Sequence, residues 1–140
     1  MERMKIMLDP GAYAPARAHA LDAGLDLRAM KGGEVPPGRG VVFRTGVHVQ
    51  LPAGTCGLLV SKSGLNVRAG VTSTGLIDEG YTGEILVRLD NHGTLPYIVS
   101  DGDKISQLVV IPILRPQVEI ADTLDGDTER GDKGFGSSGK

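Results

Sequence analysis

Punctuation most limits what this chain can fold into. Twenty-one glycines and eight prolines are spread through 140 residues, and the prolines mostly stand near glycines. Glycine is roughly twice its usual ~7% share. Helical periodicity is correspondingly scarce. The best helix candidate, 14–23, has Pro15 at its front, Gly24 at its end and no clear apolar stripe, so an irregular loop is equally open there.

Strand signals are frequent instead, at 5–8, 25–29, 41–51, 57–60, 84–90, 97–99, 105–114 and 117–121. Two alternate cleanly: Val47, Val49 and Leu51 are apolar while His48 and Gln50 point the other way, and Ile85, Val87 and Leu89 oppose Arg88. Between strands lie VPPGRG, PAGT, NHG and DGD, all with turn chemistry. Short strands spaced by turns, with no helices between, predict an all-β sandwich, jelly roll or barrel. The length suits one cored domain. Apolar residues give out after Leu124, so a β-domain is predicted over 1–124 and a glycine-rich arm over 125–140.

A net charge of −2 with 23% charged residues does not describe a broad electrostatic binder of nucleic acid, so any bound anion must be caught locally. Cys56 is alone, which excludes an intrachain disulfide and a cysteine zinc cluster. No apolar run of signal-peptide length opens the sequence, and the longest apolar stretch, 108–114, is broken by Pro112 and too short for a bilayer. A cytoplasmic protein without nucleic-acid or membrane partners is predicted.

Four stretches carry more chemistry than a connection needs. In the first, Ser61-Lys62-Ser63-Gly64-Leu65, an ammonium, two hydroxyls and a glycine amide follow a strand end and can hold a phosphate, or form a plain polar turn. Another, Gly75-Leu76-Ile77-Asp78-Glu79-Gly80-Tyr81-Thr82-Gly83-Glu84, sets an aspartate near a tyrosine. That pair suits a general base beside a pocket wall, or a turn whose Asp78 bonds its own backbone. In Gly102-Asp103-Lys104-Ile105-Ser106-Gln107-Leu108, Gln107 is polar in an otherwise buried strand and needs either core partners or a ligand. The last begins at Arg130 and places Lys133, Phe135, Gly136 and Ser137 among glycines. Such an arm can close over a nucleotide, or simply be a disordered end.

With Ala23-Gly24-Leu25-Asp26-Leu27 ahead of them, these stretches resemble, in order, the five motifs of the trimeric deoxyuridine triphosphate nucleotidohydrolases, the dUTPases; the resemblance runs from Ala23 to Gly139. It implies a jelly-roll or distorted antiparallel β-barrel subunit of a homotrimer, with active sites at subunit interfaces and the arm of one subunit over another's site. The reaction implied is dUTP plus water giving dUMP and pyrophosphate, which limits uracil in DNA and supplies dUMP for dTMP synthesis.

By the same resemblance Asp78 deprotonates the water that attacks the α-phosphorus, and Ser63 with the Gly64 amide stabilises charge on the phosphates. Gly75 and Ile77 belong to the hairpin that reads uracil, Tyr81 lies on the deoxyribose, and Phe135 stacks on the base. Gln107 takes a phosphate or an ordered water, Arg130 the γ-phosphate, and Ser137 adds a phosphate hydrogen bond, with Gly136 also in the substrate site. A Mg²⁺ ion is held mainly by the triphosphate, with Asp26 reaching its water shell. Two positions depart from the commonest pattern: Lys62 stands where the second motif usually has arginine, and Gly80 where an acid often precedes the tyrosine. Lysine keeps the charge without the bidentate fork. A dCTP deaminase of the same fold and a non-catalytic nucleotide-responsive regulator are the alternative readings.

Overall fold

A computed structural model describes residues 3–124, 126 and 128–134. Among these residues are ten strands: β1 (Lys5–Leu8), β2 (Leu25–Arg28), β3 (Gly33–Val35), β4 (Gly40–Gln50), β5 (Thr55–Val60), β6 (Val71–Thr72), β7 (Thr74–Ile77), β8 (Glu84–Asn91), β9 (Tyr97–Val99) and β10 (Lys104–Pro112). One helix, α1 (Ser63–Ala69), lies between β5 and β6. The strands form a four-stranded sheet ordered β1-β4-β8-β6, a second ordered β2-β10-β5-β7, and a ribbon of β3 with β9. Every pairing is antiparallel.

The apolar face of each sheet feeds one core. Phe43, Val47 and Val49 of β4 and Ile85, Val87 and Leu89 of β8 meet Leu25 and Leu27 of β2, Leu59 of β5 and Ile105 and Leu108 of β10. Leu27, Ile85, Leu89 and Leu108 are wholly enclosed, and burial of such a side chain is worth about 1.5–3 kcal/mol each. The alternation expected at 47–51 and 85–89 is present, with His48 and Arg88 turned away from the core. Inside that core, Thr45 Oγ1 donates to the Ile85 carbonyl at 2.6 Å, so its hydroxyl is not left unpaired.

Both sheets stay open, which corrects the expectation of a closed barrel. Their edge strands are β1, β6, β2 and β7, each of two to four residues. So few ladder bonds cannot bridge one sheet to the next and complete a ring.

Of the two readings open for 14–23, the irregular loop is the one present: no helix forms there, and a single bridge joins Ala16 to Asp26. The strand expected at 117–121 is absent: those residues are exposed and have no ladder partner among the described residues. Residues 63–69, of which 63–65 were expected in a loop, are helical. Helix α1 buries no residue fully and closes on Gly70, whose φ of 66° is the left-handed cap that glycine adopts without a Cβ penalty. No helix among the described residues is long and apolar enough to cross a membrane.

Candidate active site

Register brings three of the quoted stretches to one place. Asp26 of β2 stands opposite Gln107 of β10, which stands opposite Val60 at the end of β5. Two residues beyond Val60, the Lys62 ammonium pairs with Asp26 Oδ1. Lys104, at the head of β10, brings its Nζ to 2.8 Å from Asp26 Oδ2. That second approach lacks hydrogen-bond alignment, leaving buried Oδ2 ion-paired but without a directed donor. Burial pushes the Asp26 carboxyl up; the Lys104 and Lys62 ammonium groups outweigh it and hold its pKa below the ordinary 3.8. Two ammonium groups around one carboxylate leave the cluster one positive charge in excess, a local attraction for an anion.

Serines and the Gln107 amide fix the strand ends under this cluster. Gln107 is half-buried, and its Nε2 donates to the Ser61 carbonyl at 3.1 Å. Ser61 Oγ accepts from the Ser73 amide at 2.9 Å, and the Ser73 and Ser106 hydroxyls lie 2.8 Å apart, wholly buried. Lys104, Ser73 and Ser106 had no assigned role in the sequence: Lys104 followed a turn, and Ser106 was a hydroxyl inside an apolar strand. Ser63 and Gly64 open helix α1 on the exposed surface beside Lys62, with free space around Gly64.

The hairpin after β7 lies elsewhere on the same sheet. Thr74 is opposite Val60, whereas Ile77 is opposite Gly57, so Asp78 begins four residues further along. At about 3.3 Å per strand residue that is a separation of roughly 13 Å from the lysine cluster. Gly75 passes over Leu59, where an added Cβ would come within 3.0 Å of its Cδ1. Ile77 is buried and Asp78 exposed. The Tyr81 amide donates to the Asp78 carbonyl at 3.0 Å, closing the turn, and the Tyr81 hydroxyl donates to the Glu84 carbonyl at 2.9 Å. Glu79 anchors the base of the turn: Oε2 accepts from the Gly54 amide at 2.9 Å and from Arg115 at 2.6 Å. Leu76, Ile77, Asp78, Tyr81, Glu84 and Leu86 line a cleft of about 270 Å³. Its apolar floor with one free carboxylate on the rim is suited to a flat polar ring.

Arg130 is exposed and donates from Nε to the Lys133 carbonyl at 3.3 Å. Phe135, Gly136 and Ser137 lie outside the described residues. Among the described residues no three His, Cys, Asp or Glu side chains gather into a metal shell. One chain thus joins Asp26, Lys62 and Gln107, keeps Ser63 and Gly64 beside them, and holds Ile77, Asp78 and Tyr81 apart, with Gly75 on the strand between.

The family model described as dUTPase matches residues 11–139. A deoxyuridine 5'-triphosphate nucleotidohydrolase from Mycobacterium tuberculosis is 44% identical, with 96% of this chain and 92% of the relative covered. Another from Gloeothece citriformis is 42% identical over 94% of this chain and 92% of the relative. Among solved structures, the Staphylococcus bacteriophage 80alpha dUTPase with dUPNHPP is similar at a TM-score of 0.93 and 29% identity, all of both chains being covered. A mutant dUTPase from phage phi11 of S. aureus, described with a structural Mg(II) ion, is similar at a TM-score of 0.81 and 27% identity over 87% of this chain and 98% of that one. Sequence and architecture agree across nearly the whole length, and the chain belongs to the dUTPase family.

Proposed function

We propose that the protein hydrolyses dUTP to dUMP and pyrophosphate. The observation that carries this is the family match, which spans all five stretches that the chemistry needs. Asp78 takes the proton of a water whose oxygen attacks the α-phosphorus; the bond from that phosphorus to the α,β-bridging oxygen breaks, and pyrophosphate leaves. Lys62, Ser63 and the Gly64 amide meet the charge that grows on the phosphate oxygens, and Gln107 holds a phosphate or an ordered water. Gly75 and Ile77 present backbone groups to uracil, and Tyr81 packs against the deoxyribose. A site that meets uracil's acceptors with donors rejects cytosine by ~10⁴-fold or more, because donor would face donor in a dry pocket.

The site is completed by other copies in a homotrimer. Supporting this, Asp78 lies roughly 13 Å along the sheet from the lysine cluster, too far for both to serve one triphosphate bound to one chain. In this reading 125–140 is an arm whose Arg130, Phe135, Gly136 and Ser137 close over a neighbour's nucleotide. The donor set also fits Mg²⁺ at second hand: Asp26 Oδ2 is buried without a directed donor, so it can accept a hydrogen bond from a metal-bound water. When bound on the triphosphate, magnesium neutralises phosphate charge. The test is pyrophosphate release from dUTP, dCTP, dTTP and UTP at equal magnesium. Release from dUTP alone supports the hydrolase; ammonia from dCTP marks a deaminase, and tight dUTP binding without turnover marks a regulator.

A further inference from the structure

Strands β4 and β8 fall out of step between Arg44 and His48, where Gly46 takes a left-handed φ of 65°. The irregularity gathers charged side chains at the root of the hairpin that carries Asp78 and Tyr81. His48 leaves β4 with a side chain only 17% exposed, and both ring nitrogens face acceptors. Nδ1 is 3.0 Å from the Thr82 carbonyl oxygen and Nε2 is 3.2 Å from Asp9 Oδ1. A neutral imidazole has one N–H for these two acceptors, whereas an imidazolium has one for each.

The surrounding charges favour the imidazolium. Asp9 faces the ring from the turn after β1 and Glu84 from β8. Arg44 of β4 opposes them, but its guanidinium is engaged by Asp9 at 3.2 Å and Glu84 at 3.0 Å. Lys5 of β1 lines the shallow cleft beside the ring. The Thr82 carbonyl first, then Asp9 and Glu84, hold the His48 pKa above the ordinary 6.5 against partial burial. Thr82 directly follows Tyr81, and Glu84 both receives the Tyr81 hydroxyl on its carbonyl and takes the Gly46 amide on its carboxylate at 2.9 Å. A single network therefore runs from the Gly46 irregularity to the turn between Asp78 and Tyr81.

We propose that His48, as the imidazolium, is a positioning residue for the reaction: it fastens the Thr82 carbonyl to Asp9 and so holds the Asp78–Tyr81 turn against β4. The proposal rests on the roles of Asp78 and Tyr81 given above. Loss of the proton leaves one acceptor facing a lone pair, which frees the turn. Turnover then falls as pH rises through the His48 pKa. Nucleotide affinity changes less than turnover, because Lys62, Ser63 and Gln107 lie elsewhere and, of the nucleotide contacts, only those on the hairpin loosen.

Two measurements on the full chain test this. In an NMR titration, the imidazole signal that disappears in His48→Gln is expected to titrate above 6.5, and to move back toward 6.5 in Asp9→Asn. In kinetics between pH 5.5 and 9, wild-type kcat is expected to descend with that same midpoint. His48→Gln should lose the descent and, at pH 6.5, turn over about 3–10-fold more slowly with KM within about twofold. Titration at or below 6.5 overturns the charged contact. An unchanged descent, or unchanged kcat at pH 6.5, in folded His48→Gln overturns the positioning role. A wild type without dUTP turnover overturns the proposed function, and the titration still decides the contact.

Discussion

Gly24 offers a way to move Gln107 without touching it. A methyl added at Gly24 would fall inside the contact distance of Gln107 Oε1 and 3.0 Å from its Cβ and Cδ. Carbon contacts settle near ~3.5–4.0 Å, so the side chain must give by roughly 0.5–1 Å. Oε1 and Cδ are the mobile end of Gln107 and can swing aside, while Cβ, held by β10, must give by a few tenths of an ångström. The displacement breaks the 3.1 Å bond from Nε2 to the Ser61 carbonyl. Such a bond is worth about 0.5–1.5 kcal/mol net, and a Gly→Ala change returns about 0.4–1 kcal/mol through the unfolded chain. Melting of Gly24→Ala should therefore drop by no more than roughly 4 °C. Activity has no such offset: a group misplaced by this distance costs on the order of 10²-fold in turnover when it holds a reacting phosphate or water. Pyrophosphate release and thermal melting of Gly24→Ala, beside Gln107→Ala, measure both. A folded Gly24→Ala enzyme with wild-type kcat removes Gln107 from the mechanism. A melting loss beyond roughly 10 °C shows that the glycine serves the backbone instead.

Asp78→Asn should lower kcat at least ~10²-fold, the lower end for loss of a general base, while melting stays unchanged because the residue is exposed; unchanged turnover removes it as the base. Buried Asn91 donates to the Val35 and Leu95 carbonyls at 2.8 Å each and accepts from the Gly93 amide at 2.9 Å. Asn91→Ala strands all three groups and should cost about 2–4 kcal/mol in urea unfolding, and a loss under ~1 kcal/mol would mean that water replaces the amide. For Asp26 the folded pKa lies below the unfolded 3.8, so its ion pairs contribute fully above pH 3.8 and are lost as pH falls through the folded value. The stability difference between wild type and Asp26→Asn should be constant near neutrality and narrow below about pH 4; a constant difference down to pH 2.5 would refute the pairing.

Strands were readable where one face meets the core and the other meets water, as at Val47, Val49, Ile85 and Val87. Alternation fails as a guide in two directions. β3, β6 and β7 have two to four residues, and their pairing partners define them more than their own pattern does. Conversely, 117–121 has an apolar rhythm, with Val118 and Ile120 almost fully exposed, and no strand among the described residues to meet it. Helix α1 escaped notice because seven residues are too few to carry a period, and an isolated helix below ~12–15 residues is marginal. It exists because Gly70 caps it and Leu65 and Ala69 rest on the core.

The site divides along the same line. Gln107 stood out as a polar residue in an apolar strand and Asp26 through the motif it belongs to, and that much is local. That they face one another is a matter of register, since a one-residue slip of β10 against β2 would turn Gln107 to the other face. Lys104 shows what local reading misses: it looked like turn chemistry, yet it shares Asp26 with Lys62 and so decides the sign of the cluster. With Lys62 alone the pair would be neutral. The second ammonium leaves one positive charge over, in a chain whose total is −2. The attraction for a triphosphate is therefore local to the ends of β2, β5 and β10, while Asp78 of the same chain stands away from it on the hairpin after β7.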